Sequence, residues 1–524
     1  MTKIQILSAL VSLLPAAGIV TAQESRGSIT GKVIDPQGAV IPNAGVTIVS
    51  TETNATRRTL TNETGYFEAN LLNPGTYSVT VEAPGFKKAF RPGIALNVAT
   101  RLDLAFSLEV GAVTETVEVA AAAPLLDTTN ATGGRVIDSR QIQQLPLGDM
   151  GPFALSAMTP GMSPTGSSAE RRVFDKGGTS NFFTSGGVGQ NEYTLDGAPV
   201  TGTNRRVGFA PSSDAISEFK LETMPFDAAY GHTTGATINA ITRGGTNALH
   251  GALYEQHRQQ RWNATPHFVR LAYEDAVARG TKSPDDPKQP GGATNNFGLS
   301  AGGPVRIPKV YNGADRLFFF LSYYGFYERR PETADAISRT VPRLSWRQGD
   351  FSDLAALDPV RFTVYDPRSA RRVGDRVVRD PFPGNRGVPV LNPLYRFYEP
   401  IYPAPNDPPG LVSPEGFNNY LVPGGLRQNW DVFSVVNRFD YNLSDNHRLF
   451  GRWYWDDAFE HGADWTLETM PGLHIGGLAR VNKGGGGHYL ATLGSATVLD
   501  IGVSITRFNE GNRRPAQTQF RPTD

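Results

Sequence analysis

From residue 248 onward the sequence keeps to a two-residue rhythm over long stretches, and this limits what the chain can become. Seven segments carry the rhythm: about 249–258, 295–303, 316–328, 430–441, 447–456, 487–496 and 500–508. A period of two marks strands whose two faces meet different surroundings. Each segment is close to the about 9–11 residues that a tilted strand needs to cross a hydrocarbon layer. The fourth and fifth form the clearest hairpin. Phe433, Val435, Phe439 and Tyr441 share one face, and Ser434, Val436, Arg438 and Asp440 the other. After the turn at 442–446, Leu449, Gly451, Trp453 and Trp455 face one way, with Arg448, Phe450, Arg452 and Tyr454 opposite. Two arginines on one face and two tryptophans on the other fit a wet lumen and a lipid-facing aromatic girdle.

The connections sharpen this. They alternate long and short, the long ones being about 259–294, 329–429 and 457–486. The middle one is rich in Pro and Arg and reads as an unstructured loop. Transmembrane barrels carry short turns on the periplasmic side and long loops outside, whereas compact soluble domains rarely hold such loops. Past residue 22 no apolar run reaches the roughly 18 residues of a membrane helix. With 50 basic and 50 acidic residues the chain has no net charge, which argues against a nucleic-acid partner. It has no cysteine, hence no disulfide and no thiolate metal site.

The first 22 residues read as an export signal: Lys3, an apolar run, and small residues up to Ala22, with cleavage expected before Gln23. Residues 27–108 read as a small sandwich. Tyr77, Val79, Val81 and Ala83 alternate with polar residues, as do Leu102, Leu104, Phe106 and Leu108. Turn chemistry separates the runs, as at Asp35-Pro36-Gln37-Gly38 and Asn73-Pro74-Gly75. Residues 109–126 read as a linker. Within it Thr114, Glu115, Thr116, Val117, Glu118 and Val119 form an extended segment open to two readings. One is a plain linker strand; the other is a strand that a partner's sheet captures through main-chain hydrogen bonds. Residues 127–247 mix polar strands with a stretch, 136–162, that begins like a short helix followed by a turn. Leu195-Asp196-Gly197 looks like a strand ending in a turn, where Asp bonds the backbone and Gly takes positive φ. Ile216, Phe219 and Leu221, with Glu218 and Lys220 among them, mix a helical spacing with a strand spacing.

Two resemblances follow from these residues. GSITGKVIDPQGAVIPNAGVTIVS (27–50) and TNETGYFEANLLNPGTYSVTVEAPGF (61–86) resemble the carboxypeptidase regulatory-like domain, which implies a non-catalytic prealbumin-like sandwich. Seven ordered matches run through 136–255, among them Leu-Pro-Leu, Thr-Pro-Gly, Leu-Asp-Gly, Ala-Ile-x-Glu-Phe-Lys and Ala-x-Tyr-Gly. They resemble the plug-to-barrel passage of Oar-like TonB-dependent outer-membrane receptors. One departure is Gly148-Asp149-Met150, where that family usually shows Asn-Gly-Arg after Leu-Pro-Leu.

The resemblance implies a mainly β chain in five parts: signal peptide 1–22, sandwich 27–108, linker 109–126, plug 127–247, and the first part of an outer-membrane barrel, 248–524. It implies a Gram-negative outer membrane, a periplasmic sandwich, and TonB with its inner-membrane energising complex pulling at Thr114–Val119. It also implies contact with outer-membrane lipid and an extracellular ligand such as a peptide, siderophore or glycan. Seven strands do not close a barrel of about 22, so the sequence is expected to be truncated at its C-terminus. No cofactor, metal site or catalytic residue is expected: the eight histidines form no His-Glu-x-x-His pattern, and no nucleophile elbow or phosphate loop occurs. Two rivals stay open. One is a surface or adhesion protein without transport; the other is an inert product in which only the sandwich folds.

Overall fold

A computed structural model describes residues 25–512, less 113–115, 119–132, 146, 148–150, 165–181, 185–186, 189–190, 203–206, 224–232, 281, 289–290, 330–337, 391, 408–409, 411, 422–428, 462–476 and 495–496. The expected export signal, with Ala22 and Gln23, lies outside these residues, as do Thr114, Glu115 and Val119.

The first layer is a sandwich of two sheets. The strands are β1 (Gly27–Ile34), β2 (Gly45–Ser50), β3 (Thr56–Leu60), β4 (Tyr66–Leu72), β5 (Gly75–Glu82), β6 (Lys88–Leu96), β7 (Arg101–Ser107) and β8 (Thr116–Glu118). One sheet runs β4-β1-β7, the other β3-β2-β5-β6-β8. Alternate residues point inward, so Ile29, Val33, Ile48, Val79, Val81, Leu104 and Phe106 share one buried core. Burying each such side chain stabilises by about 1.5–3 kcal/mol.

The central layer holds β9 (Gly134–Ile137), helix α1 (Ser139–Gln144), β10 (Ser163–Pro164), β11 (Phe182–Thr184), β12 (Gly187–Val188), β13 (Glu192–Leu195), β14 (Ala198–Pro199), β15 (Ile216–Glu222) and β16 (Thr237–Thr242). Helix α1 begins where the Asp138 carboxylate caps the Gln141 amide at 2.8 Å. The main sheet runs β14-β13-β16-β15-β9. β16 is buried along its whole length, and so is β13, because both faces are covered. The mixed spacing around Ile216 and Phe219 has a simple cause. A register shift between Ile216 and Glu218 puts a bulge at the start of β15.

The third layer is the large sheet. It is built from β17 (His250–Gln259), β18 (Ala293–Pro304), β21 (Leu317–Arg329), β26 (Asn429–Ser444), β27 (His447–His461), β28 (Gly477–Thr492) and β29 (Val498–Asn512), paired antiparallel in that order. The intervening labels are short pairs: β19 (Arg306–Ile307) with β20 (Tyr311–Asn312), β22 (Ser338–Arg339) with β25 (Tyr420–Leu421), and β23 (Arg371–Val373) with β24 (Arg376–Val378). Helix α2 (His267–Ala278) lies in the first long connection. Among the described residues the sheet is open, with β17 and β29 as its edges.

Odd-numbered residues of all seven strands share the outer face and even-numbered residues the inner one, because, apart from the shift at Ser444 and His447, the registers pair odd with odd, as in Leu299, Tyr323, Val435 and Trp455. The outer face exposes Leu253, Leu299, Phe439, Leu449, Trp453, Ile501, Val503 and Ile505. The inner face buries Ser300, Ser322, Ser434, Arg438, Arg452, Asp456 and Asn482. The same face also buries Phe320, Val436 and Tyr454, so the outside is apolar and the inside mixes polar with packed apolar side chains.

Two expectations need correction. The sixth strand was expected over 487–496 but spans Gly477–Thr492, so Gly484–Gly487 lies inside it rather than at a loop tip. The long middle connection is not an unstructured loop. It carries short helices, two strand pairs and a buried Val341, whose amide and carbonyl both bond the Asn419 side chain at 2.8 Å. Elements of two to six residues are too short to leave a periodic signature.

Candidate functional site

The site is where the central layer meets the inner face of the large sheet. The connection between β13 and β14 is the two-residue turn Asp196-Gly197, with φ of 47° and 80°. Two successive positive φ values define the tight hairpin that Asp-Gly favours. The turn aims the Asp196 carboxylate at the sheet. One oxygen accepts from the Thr242 amide at 2.9 Å and from Arg438 at 3.2 Å. The other accepts from the Thr242 hydroxyl at 2.8 Å and from Arg452 at 3.0 Å.

Arg438 on β26 also holds Asp440 through two parallel bonds of 2.8 Å and donates to the Thr242 carbonyl at 3.0 Å. Two carboxylates and two guanidiniums make the group neutral. Its side chains are 5% exposed at Asp196, 6% at Arg438, 2% at Arg452 and 17% at Asp440, so the group is largely buried. Buried charges persist only when paired and hydrogen-bonded on every side, and here Asp196 accepts four bonds.

Apolar packing surrounds the charges. Phe209 of the central layer stacks on Tyr454 at 4.0 Å and 12°. Phe320, Val436 and Tyr454 of the sheet join the same core as Phe153, Tyr193, Phe219 and Ile238. The central layer is thus seated on the wall through both core and ion pairs.

Of the residues singled out from sequence, Leu195, Asp196 and Gly197 all lie in this buried site. Thr116, Val117 and Glu118 lie elsewhere, as the edge strand β8 paired parallel to Lys88, Ala89 and Phe90 of β6. The sequence reading missed that Arg438 and Arg452 answer Asp196. The one signal was two arginines on a single face of the hairpin. It also passed over Glu218 and Lys220. Burial pushes the Glu218 carboxyl up to about 7, against the opposing pull of the Val98 amide. Among the described residues no group of three or more His, Asp or Glu is placed to hold a metal ion.

Comparison with known proteins agrees with this architecture. Residues 241–524 match the outer membrane beta barrel domain, and residues 28–109 match the carboxypeptidase regulatory-like domain. The TonB-dependent transporter Oar of Myxococcus xanthus is 26% identical over 369 residues, covering 68% of this chain and 32% of that protein. The chain therefore spans about a third of that relative's length. Among solved structures, the Escherichia coli outer membrane transporter YddB aligns with a TM-score of 0.41 at 13% identity, over 71% of this chain and 38% of that one. A mutant of the Pseudomonas aeruginosa ferric enterobactin receptor PfeA aligns with a TM-score of 0.38 at 12% identity, over 72% and 41%. The chain belongs to the outer-membrane β-barrel family, and it is a Gram-negative outer-membrane protein homologous to the TonB-dependent transporters.

Proposed function

We propose that this chain forms the working part of an energised outer-membrane receptor, with residues 127–247 as its plug. The observation that carries the reading is the buried Asp196–Arg438–Arg452 group. It fixes the central layer against the inner face of the wall, as a plugged transporter needs. In this reading an extracellular ligand binds the long connections and the outer end of the plug. TonB, driven by the inner-membrane complex, captures Thr114–Val119 as an added strand and pulls. Residues 1–22 direct export, with cleavage between Ala22 and Gln23.

The linker's placement supports capture. One edge of β8 rests on β6, and three residues make a short hold. Each backbone hydrogen bond contributes only about 0.5–1.5 kcal/mol net, so a longer pairing with TonB outcompetes it. Proline cannot donate to a strand ladder. Val117→Pro combined with Val119→Pro is therefore expected to cut co-precipitation with the periplasmic domain of TonB at least roughly tenfold, the loss of one or two such bonds. Undiminished co-precipitation would remove this segment from the mechanism.

A further inference from the structure

We propose that the sandwich is a cap locked beneath the plug, and that it must come off before the plug can move. The reading of the cap as a gate rests on the receptor function proposed above. The docking itself rests on contacts that run from the sandwich to both other layers.

The first contact is a clasp on one turn. Residues 97–100 join β6 to β7, and Val98 there is fully buried. Its amide donates to the Glu218 carboxylate. The next residue, Ala99, has φ of 46°, which turns its carbonyl onto Lys220 Nζ at 2.8 Å. Glu218 and Lys220 stand two apart on β15, so one strand of the plug grips two peptide groups of a single sandwich turn. Lys220 is further held by Glu222 at 2.9 Å. Neither acidic nor basic side chain belongs in an apolar layer unless it is satisfied, and the sandwich backbone satisfies both.

The second contact is a ring of three aspartates at the short-turn end of the wall. Asp315 accepts from Asn54 at 2.8 Å, Asp445 pairs with Arg58 at 3.1 Å, and Asp500 pairs with Arg26. Backbone bonds add to these: Asn247 donates to the Glu52 carbonyl at 3.0 Å, and Arg448 to the Thr56 carbonyl at 3.0 Å. Donors and acceptors are thus matched across the rim in both directions, with two of the aspartates meeting arginines.

Between them lies a polar cavity of about 430 Å³, lined by Arg26, Glu52 and Tyr77 of the sandwich together with Arg243, Arg438 and Arg448. It lies directly below the Asp196 group, since Arg438 belongs to both. The sandwich thus lies across the way from the plug–wall boundary to the periplasm. A plug strand gripped at Glu218 and Lys220 cannot leave the wall while the sandwich stays fixed to the rim.

Because the chain lacks cysteine, introduced thiols report cleanly. The test is N54C/D315C in intact cells, treated with a short thiol-specific bismaleimide. The control is Q37C/D315C, whose sandwich thiol sits beyond the end of β1 farthest from Arg26. The docked state predicts a cross-linked band for N54C/D315C and none for the control. E218A/K220M is expected to lower its yield, since each lost charge-assisted bond is worth roughly tenfold in the docking equilibrium. Release predicts that the yield falls when TonB and the proton gradient are active and recovers when the gradient is collapsed. No cross-link in correctly inserted protein overturns the docking. A yield indifferent to the gradient, while TonB still co-precipitates in a Val117-dependent way, overturns the gate and leaves the receptor reading standing. A cross-link with no TonB binding at all fails the receptor reading, and the gate falls with it.

Discussion

Replacing Asp196 with alanine is expected to loosen the plug from the wall by about 3–5 kcal/mol, the range for breaking a buried ion pair from one side. The loss is large because two cations depend on one carboxylate. Arg438 keeps its two bonds to Asp440, but Arg452 is 2% exposed and takes its carboxylate bond from Asp196. An unpaired guanidinium there must recruit water or push the layers apart. Asp196→Asn should cost less, since the amide keeps the turn conformation and one acceptor. The double variant D196A/R452M should recover part of the loss, because removing both partners of a buried pair is far milder than removing one. Limited proteolysis of outer-membrane preparations reads all three. Residues 127–247 should become cleavable in D196A and regain protection in the double variant. Equal protease resistance in D196A and the parent protein would show that the plug is held without the Asp196 ion pairs.

Gly484→Val is expected to destabilise the wall itself. A Cβ at this position would stand 2.2 Å from Tyr454 Oη and 2.3 Å from its Cζ. Tyr454 cannot swing clear cheaply, because its ring is stacked on Phe209 at 4.0 Å and its hydroxyl bonds Thr506 at 3.1 Å. Overpacking costs about 1–3 kcal/mol, and losing the aromatic stack adds about 0.5–1.5 kcal/mol. Thermal unfolding in detergent should show a clear drop for Gly484→Val. Gly511→Val should show none, because a Cβ there meets nothing within 4 Å. Equal midpoints for the two variants would mean that the Tyr454 ring is not fixed where the packing puts it.

The same residues explain what the sequence revealed and what it hid. All seven wall strands left a signal in the sequence, because their two faces carry different side chains at every second residue. The sixth was misplaced because four successive glycines read locally as a loop. The first of them, Gly484, makes room for Tyr454 on the neighbouring strand, 30 residues away, and no local pattern reports a ring that needs room. The Asp196-Gly197 turn was legible from its two residues alone. Its second task was not, since Arg438 and Arg452 lie 242 and 256 residues further on. The bulge in β15 showed only as an irregular spacing. The clasp on Val98 and Ala99 left no trace, because peptide groups look alike whatever the side chain. Glu218 and Lys220 were its one visible half.

The central claim is that β17, β18, β21 and β26–β29 form a membrane wall with lipid outside and plug inside. Nitroxide scanning through β27 tests it most directly, with one cysteine at a time from Leu449 to Asp456 in the parent protein, which contains none. Molecular oxygen concentrates in hydrocarbon, while a charged nickel chelate stays in water. The account predicts strong oxygen collisions and weak nickel collisions at Leu449, Gly451, Trp453 and Trp455, with neither probe reaching Arg452, Tyr454 or Asp456. Odd positions as open to nickel as to oxygen would mean that this face meets water, and the wall would have to be reread as one side of a soluble sheet.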